Sequence, residues 1–492
     1  MKYKGWIIIL AALALAAGIA GCTATGSYQS SEVYDRSMYS KITRQAMEYE
    51  GLSRNPVIVI HGFLGAKLAE NSTDELVWGS FTGIQDLDNN KIRALSHPMA
   101  IGKKLKDLPC SSHASGLLDR VKINLLGVPF YLSAYDNLID ILVESGYMLE
   151  GEPLPEGKKY YSLFVFYYDW RRDIPENAAR LHRFILEKRA YLQKEYKRCY
   201  HVDHYDVQFD IVAHSMGGLL ARYYLRYGDQ DLPDNGSNPT LDWRGSKYVD
   251  KIAVIGTPNA GYLDTFLEMT NGLELAPGAP VYPPGLIGTY PTYYQMMPLT
   301  STRSVIYDDD PNGKPVDLFD PRVWVNNRWG LADPAQDKIL RIILPEVQSA
   351  EQRHAIAIDH LVKCIRRAKQ FTEAMRIRGT PPDDVSMALF VGDAVPTTRT
   401  ATVNRRDGSV EVSEYEAGDG KVLSSSARMD EREGGKWTPF ESSPIKWSYV
   451  MHLRAAHMGL TNSNGFADNI RYYLLISPTP RQERNMSGAG AK

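Results

Sequence analysis

The sequence predicts an α/β fold: a mostly parallel central sheet with helices on both faces and large insertions. Three observations predict it. Short runs of β-branched and aromatic residues recur along the chain, amphipathic helical stretches separate them, and two long irregular stretches interrupt the alternation. No internal repeat at a fixed period is present, which argues against a solenoid or propeller.

The first 21 residues stand apart from the predicted fold. Lys2 and Lys4 precede an apolar stretch from Gly5 to Ala20, which ends in Ile19-Ala20-Gly21-Cys22. Its 16 residues are short for a membrane span and suit the apolar region of a secretory signal. A small pair before a cysteine resembles the bacterial lipobox. That resemblance implies removal of residues 1–21 and lipid modification of Cys22. Acyl chains on one residue hold a protein on a bilayer because each buried methylene contributes about 0.8 kcal/mol. Since no later apolar run reaches about 18 residues, the expected mature protein is anchored without spanning. Thr23, by resemblance to Gram-negative sorting rules, favours the outer membrane.

Residues 22–54, rich in Ser, Thr, Tyr and charge without a sustained apolar period, read as a tether. The packed domain is expected over 55–477. Val57-Ile58-Val59-Ile60, bounded by Pro and by Gly62, reads as a buried strand. Leu138, Ile139, Ile141 and Leu142 mark a helix that ends at Gly146. A second strand follows at Leu163-Phe164-Val165-Phe166-Tyr167, then a long amphipathic helix from Asn177 to Tyr196. Val207 to Val212 is a third strand, leading through a tight turn into a helix from Gly217 to Tyr227. Lys251 to Ile255 and Val385 to Val391 complete five strands, and Ala467 to Leu475 reads as a final helix. Cap insertions are expected at about 70–130 and 262–380, the second holding a helix from Glu351 to Met375; loops of this length in a compact domain are usually functional. Residues 478–492 read as a disordered tail.

Composition narrows the class of function. The chain has 492 residues, 43% of them hydrophobic and 23% charged, with 56 basic against 58 acidic residues. These are globular proportions. A net charge of −2 and the lack of a long Lys/Arg run speak against a nucleic-acid partner. Beyond Cys22 the cysteines are Cys110, Cys199 and Cys364. Three is odd, no pair is signalled by spacing, and buried or incidental thiols are the expectation. No Cys/His cluster has zinc-ligand spacing, so neither metal nor cofactor is expected.

The chemistry concentrates at Ala213-His214-Ser215-Met216-Gly217, between the third strand and its helix. A serine hydroxyl is a weak nucleophile, and a strand-to-helix elbow presents it on a sharp turn whose small neighbours let the backbone bend. The helix N-terminus and the Met216 amide suit a developing oxyanion. The bland alternative is a helix N-cap serine. A second oxyanion donor is expected from Phe63, because His61-Gly62-Phe63-Leu64-Gly65 follows the first strand and Gly62 lets the next amide turn inward. His61 and His214 are read as residues that hold these loops. Neither follows an acid in the order Ser, acid, His that this elbow architecture requires. That order leaves His354, His360, His452 and His457 as bases, the first two in or beside the helix of the second insertion. Acid candidates are Asp393 and Asp419. Gly418-Asp419-Gly420 lets a short loop aim the carboxylate inward and leads into Val422-Leu423, a plausible strand, although it reads equally as a hairpin turn. With Asp419 as the acid, His457 on a loop is favoured over His452 in the strand-like run Tyr449 to Leu453.

Taken together, His61-Gly62-Phe63-Leu64-Gly65, Tyr168-Asp169-Trp170-Arg171, Ala213-His214-Ser215-Met216-Gly217, Thr257-Pro258-Asn259-Ala260-Gly261 and Gly418-Asp419-Gly420-Lys421-Val422, followed by His457, resemble the lecithin:cholesterol acyltransferase family, which includes the lysosomal phospholipase. Leu318-Phe319-Asp320-Pro321, Trp324 and Trp329-Gly330-Leu331 are similar to that family's cap region. The similarity runs from about Pro56 to Leu475. Asp169-Trp170-Arg171 reads equally as a structural ion pair with an aromatic lid. Lys421 stands where the family usually has Thr or Ser, and the early lid lacks a cysteine pair; both departures concern lid and substrate preference. The resemblance implies an α/β-hydrolase fold and a Ser215, Asp419, His457 triad with Phe63 and Met216 amides as the oxyanion hole. It implies a lipid or acyl-ester substrate met at a membrane surface, and either hydrolysis or acyl transfer to an alcohol. Tyr290, Tyr293, Tyr294, Trp324 and Trp329 are candidates for an acyl-binding cap, with the cap's own core as the plainer alternative. The rival class is a noncatalytic lipoprotein that binds a lipid or partner on a hydrolase-like scaffold.

Overall fold

The computed structural model describes residues 39–79, 87–118, 120–125, 128–133, 135–275, 279–432 and 436–489. The expected signal segment, Cys22 and the greater part of the expected tether lie outside these. Two units result, one up to Ala46 and one from Met47 onward.

Six parallel strands form the central sheet: β1 (Val57–Ile60), β2 (Leu163–Phe166), β3 (Phe209–His214), β4 (Val249–Ile255), β5 (Ser386–Gly392) and β6 (Tyr449–Leu453). Their spatial order is β6-β5-β4-β3-β1-β2. Every residue of β1, β3 and β4 is buried, as near-continuous apolar runs require when both faces are covered. Alternation along the strands sorts the core into two sides. Ile58, Ile60, Ile211, Val254 and Leu389 face one side, under α2 (Ile174–Tyr200) with Leu181 and Ile185 and α3 (Met216–Tyr227) with Leu219 and Leu220. Val57, Val59, Val212, Ala253 and Phe390 face the other, under α1 (Asp136–Glu144) with Leu138 and Leu142 and α5 (Asn464–Arg471) with Phe466 and Ile470.

Three excursions leave the C-terminal ends of the strands. Residues after β1 form a small antiparallel sheet of Ala66–Glu70, Leu76–Trp78 and Ser112–Leu117. Residues after β4 form short helices and then α4 (Ala350–Arg376), capped by Ser349, whose hydroxyl accepts from the Gln352 amide. The third excursion was not expected: after β5 the chain makes a ribbon of Val395–Val403 and Val410–Gly418. Tyr449–Leu453, a strand-like run in the sequence, is the sixth strand.

Three expectations need correction. The tether does not extend to residue 54, because Met47 and Gly51 are buried and Arg54 sits 4.0 Å over the Tyr147 ring while donating to the Tyr49 carbonyl at 2.9 Å. A cation clamped on an aromatic face and a carbonyl is part of the packed unit. The tail is not disordered at its start, since Pro480–Ala489 is helical, Arg481 pairs with Asp250 at 2.8 Å and Arg484 with Asp384 at 2.6 Å. Its polar composition hid these partners, which come from β4 and the turn before β5. Val422-Leu423 is not a strand but the entry to a short helix, Ser424–Arg428, with a single bridge from Leu423 to Gly418. Among the described residues no helix is long and apolar enough to cross a membrane.

Candidate active site

Ser215 lies between β3 and α3, at the N-cap of the helix, with φ 55° and ψ −128°. That left-handed backbone costs a non-glycine residue about 1–3 kcal/mol and persists only where the surroundings over-determine it. Here they do. The Ser215 amide donates to the Ile255 carbonyl at 2.7 Å, and the Thr257 hydroxyl donates to the Ser215 carbonyl at 2.8 Å. Gly217 is required because a Cβ would come within 2.5 Å of the His61 carbonyl oxygen and 2.6 Å of that of Ile60.

The structure brings Ser215, Asp419 and His457 together. His457 Nε2 lies 3.0 Å from Ser215 Oγ, and its Nδ1 lies 2.8 Å from Asp419 Oδ2. The carboxylate can only accept, so Nδ1 carries the proton and Nε2 faces the hydroxyl as an acceptor. Asp419 Oδ1 accepts from the amides of Lys421 at 2.9 Å and Val422 at 2.7 Å, and the His457 amide donates to the Asp419 carbonyl at 2.8 Å. Burial pushes the Asp419 carboxyl up, but His457 and these amides outweigh it and hold the group below the ordinary carboxylate value. The candidates passed over, Asp393 and His452, pair with each other at 2.8 Å in a half-exposed position.

The loop after β1 runs directly beside the hydroxyl. A Cβ on Gly62 would come within 2.6 Å of Ser215 Cβ and 3.2 Å of its Oγ. The Gly62 amide donates to Tyr135 Oη at 2.7 Å. Tyr135 Oη in turn lies 3.1 Å from His214 Nδ1, and His214 Nε2 lies 3.2 Å from the His457 carbonyl oxygen. The carbonyl can only accept, which fixes His214 with its proton on Nε2 and Nδ1 accepting from the tyrosine. Burial holds the His214 ring down to about 3, and the neighbouring His457 pushes the same way. A neutral relay therefore joins the Gly62 loop to the His457 loop. His61 is also neutral, lowered to about 4 by burial; its Nδ1 donates to the Gly62 carbonyl at 2.7 Å and its Nε2 accepts from the Tyr168 amide at 3.1 Å. Both histidines thus hold loops, as expected of them. Tyr135 was not foreseen: it begins a helix far upstream in sequence, and nothing local marks it.

Asp169 and Arg171 form a buried bidentate pair at 2.9 and 2.8 Å. The rest of the guanidinium donates to the carbonyls of Ala94, Leu95 and Ser112, which ties the first insertion to the sheet. This is the structural reading of that motif. Trp170 packs edge-on to Phe63 at 5.0 Å, and Tyr293 does so at 4.9 Å. The Tyr293 hydroxyl donates to Glu268 at 2.9 Å, and Lys421 pairs with Asp264 at 2.9 Å. Tyr290, Tyr294, Trp324 and Trp329 are buried in the cap's own core, where the Trp324 and Trp329 indoles donate to the Leu318 and Gly408 carbonyls. A cleft of about 700 Å³ lies elsewhere, lined by none of the three residues, and its charges largely cancel through pairs such as Lys104 with Asp234 at 2.6 Å. Among the described residues no cluster has the makings of a metal site, and Cys110, Cys199 and Cys364 are free thiols.

No protein-family model and no curated protein matches the chain. Solved structures do. A chain of the Tle4–Tli4 complex superposes with a TM-score of 0.53 at 12% identity, over 86% of this chain and 98% of that one. Lipase 1 from Pelosinus fermentans (TM-score 0.31, 12% identity, 87% of this chain and 100% of that one) and the mature lipase BlEst2 from Bacillus licheniformis (0.31, 10%, 87% and 95%) are similar more loosely. With a parallel sheet, a strained serine between strand and helix, and the superposition on a chain of the Tle4–Tli4 complex, the chain has the α/β-hydrolase fold.

Proposed function

We propose that this protein is a serine esterase acting on lipid acyl esters through Ser215, His457 and Asp419. The observation that carries the reading is the unbroken chain of hydrogen bonds from Asp419 through His457 to Ser215, with the serine held in a strained backbone. His457 takes the hydroxyl proton as Oγ attacks the ester carbonyl. Asp419 holds the imidazole tautomer and stabilises the cation formed. The amides of Phe63 and Met216 receive the tetrahedral oxyanion. Collapse releases the alcohol, which takes the proton from His457, and leaves an acyl-enzyme. Water then gives hydrolysis, and an alcohol gives acyl transfer, the outcome to which the resemblance to the lecithin:cholesterol acyltransferase family adds weight.

Anchoring through Cys22 at the bacterial envelope, with the outer membrane favoured, belongs to the same proposal and rests on the N-terminal sequence. It would hold the enzyme beside its substrate. The test is to give the wild type and Ser215→Ala a defined phospholipid, with and without a long-chain alcohol. Fatty acid or alkyl ester formed by the wild type alone supports the reading. Product from both proteins, or from neither on phospholipid and simple acyl esters, overturns it.

A further inference from the structure

Behind the serine, on the far half of α3, lies a positively charged cavity. Arg222 and Arg226 are both on α3, 2% and 4% exposed, and with Lys446 they are the charged side chains that line it; Leu225, Trp243, Gly379, Met387, Pro444 and Ile445 complete the wall. No carboxylate takes part. Arg222 makes one hydrogen bond, from Nη1 to Asn259 Oδ1 at 2.6 Å. Arg226 spends Nη2 on the Ala374 and Ile377 carbonyls, leaves Nε buried without a partner, and lies 5.2 Å over the Trp243 ring. Lys446 donates to the Thr380 hydroxyl at 2.8 Å.

A buried guanidinium without a counter-charge is costly, and arginine does not escape by losing its proton. Burial, then the neighbouring Arg226, lowers Arg222 to about 9, which still leaves it charged at neutral pH. Two buried cations and a lysine thus share one cavity whose field nothing in its lining cancels. The room available is about 10 Å³ for the centre of a water-sized particle. That space accepts a monatomic anion against its walls and is tight for a phosphate or carboxylate ligand.

We propose that this cavity binds a single halide-sized anion, chloride under physiological conditions, held by Arg222, Arg226 and Lys446. The site reaches the catalytic elements through Asn259, whose side-chain amide donates to the Ala427 carbonyl at 2.7 Å, in the helix that follows the Asp419 loop. Bound chloride therefore stiffens the contact between the serine helix and the acid segment, whether or not the esterase reading holds.

The test follows melting of the protein, purified without its first 22 residues, against chloride at constant ionic strength, with gluconate as the replacing anion. The wild type is expected to gain about 2 °C near tenfold saturation, along a saturable curve. Arg222→Met is expected to lose that dependence, and Lys446→Met, on the exposed wall, to shift its midpoint to higher chloride. Bromide-soaked crystals are expected to show one anomalous peak between the two arginines. Identical melting in chloride and gluconate, the same chloride curve in wild type and Lys446→Met, or no bromide in the cavity overturns the proposal, and these readouts stand even where Arg222→Met does not fold.

Discussion

Asp419 shows how one carboxylate is set by competing terms. Burial alone would raise it, yet the imidazole and two amides leave it below the 3.8 of a free aspartate. A depressed folded value means stability that is present above the unfolded pKa and is lost as pH falls through the folded value, here below about 4. Asp419→Asn should therefore melt earlier than the wild type at pH 7, with the gap narrowing as the pH approaches 3. The same change should cost about 10³ to 10⁴ in kcat, because the imidazole loses its tautomer control. Asp210, buried near the start of β3, has the opposite sign. Burial raises it to about 7, Lys251 lowers it in part, and its Oδ2 has no partner. A raised folded value gives stability that is full below the unfolded pKa and is lost as pH rises through about 7. Asp210→Asn keeps the acceptor for Asn55 and should raise the melting temperature at pH 8.5 more than at pH 4. Equal gains at both values would show that Asp210 is not charged at a cost in the folded state.

At the scale of elements, close approach decides. Gly62 and Gly217 let the β1 loop lie against the start of α3, and the atoms a Cβ would meet at Gly217 are backbone, which cannot yield. Gly217→Ala should cost about 1–3 kcal/mol in denaturant unfolding. Tyr135→Phe removes the hydroxyl that joins the Gly62 amide to His214 and leaves both buried groups short of a partner, a loss of about 1–3 kcal/mol. Because the tyrosine positions the loop proposed to hold the oxyanion, kcat should fall with little change in KM. The elbow was legible in the sequence because its small residues and flanking apolar runs are local. Chain direction narrowed the candidate bases to the histidines after Ser215, and the family resemblance then favoured Asp419 and His457. Tyr135 and the ribbon of residues 395–418 were not legible. One acts across a long sequence separation, and the other alternates polar and apolar residues on a surface the sequence gives no reason to pair.

Across the whole molecule, a sheet of six strands carries its chemistry at the carboxyl ends, and the insertions rise from the same ends. Arg171 fastens the first insertion, so its loss would leave the buried Asp169 unpaired and free three carbonyls. Arg171→Met should destabilise by about 3–5 kcal/mol and loosen residues 89–117, read by hydrogen exchange. The helical start of the tail and the packed end of the tether escaped sequence reading for one reason: their partners, Asp250, Asp384 and Tyr147, are distant in the chain. The proposed function stands on Ser215 being the nucleophile that is acylated, activated by His457. It is tested most directly by intact-mass analysis after treatment with a fluorophosphonate. One adduct per chain is expected, mapped to Ser215, much slower in His457→Ala and absent in Ser215→Ala. An unlabelled wild type, or an equal adduct on Ser215→Ala, would contradict it.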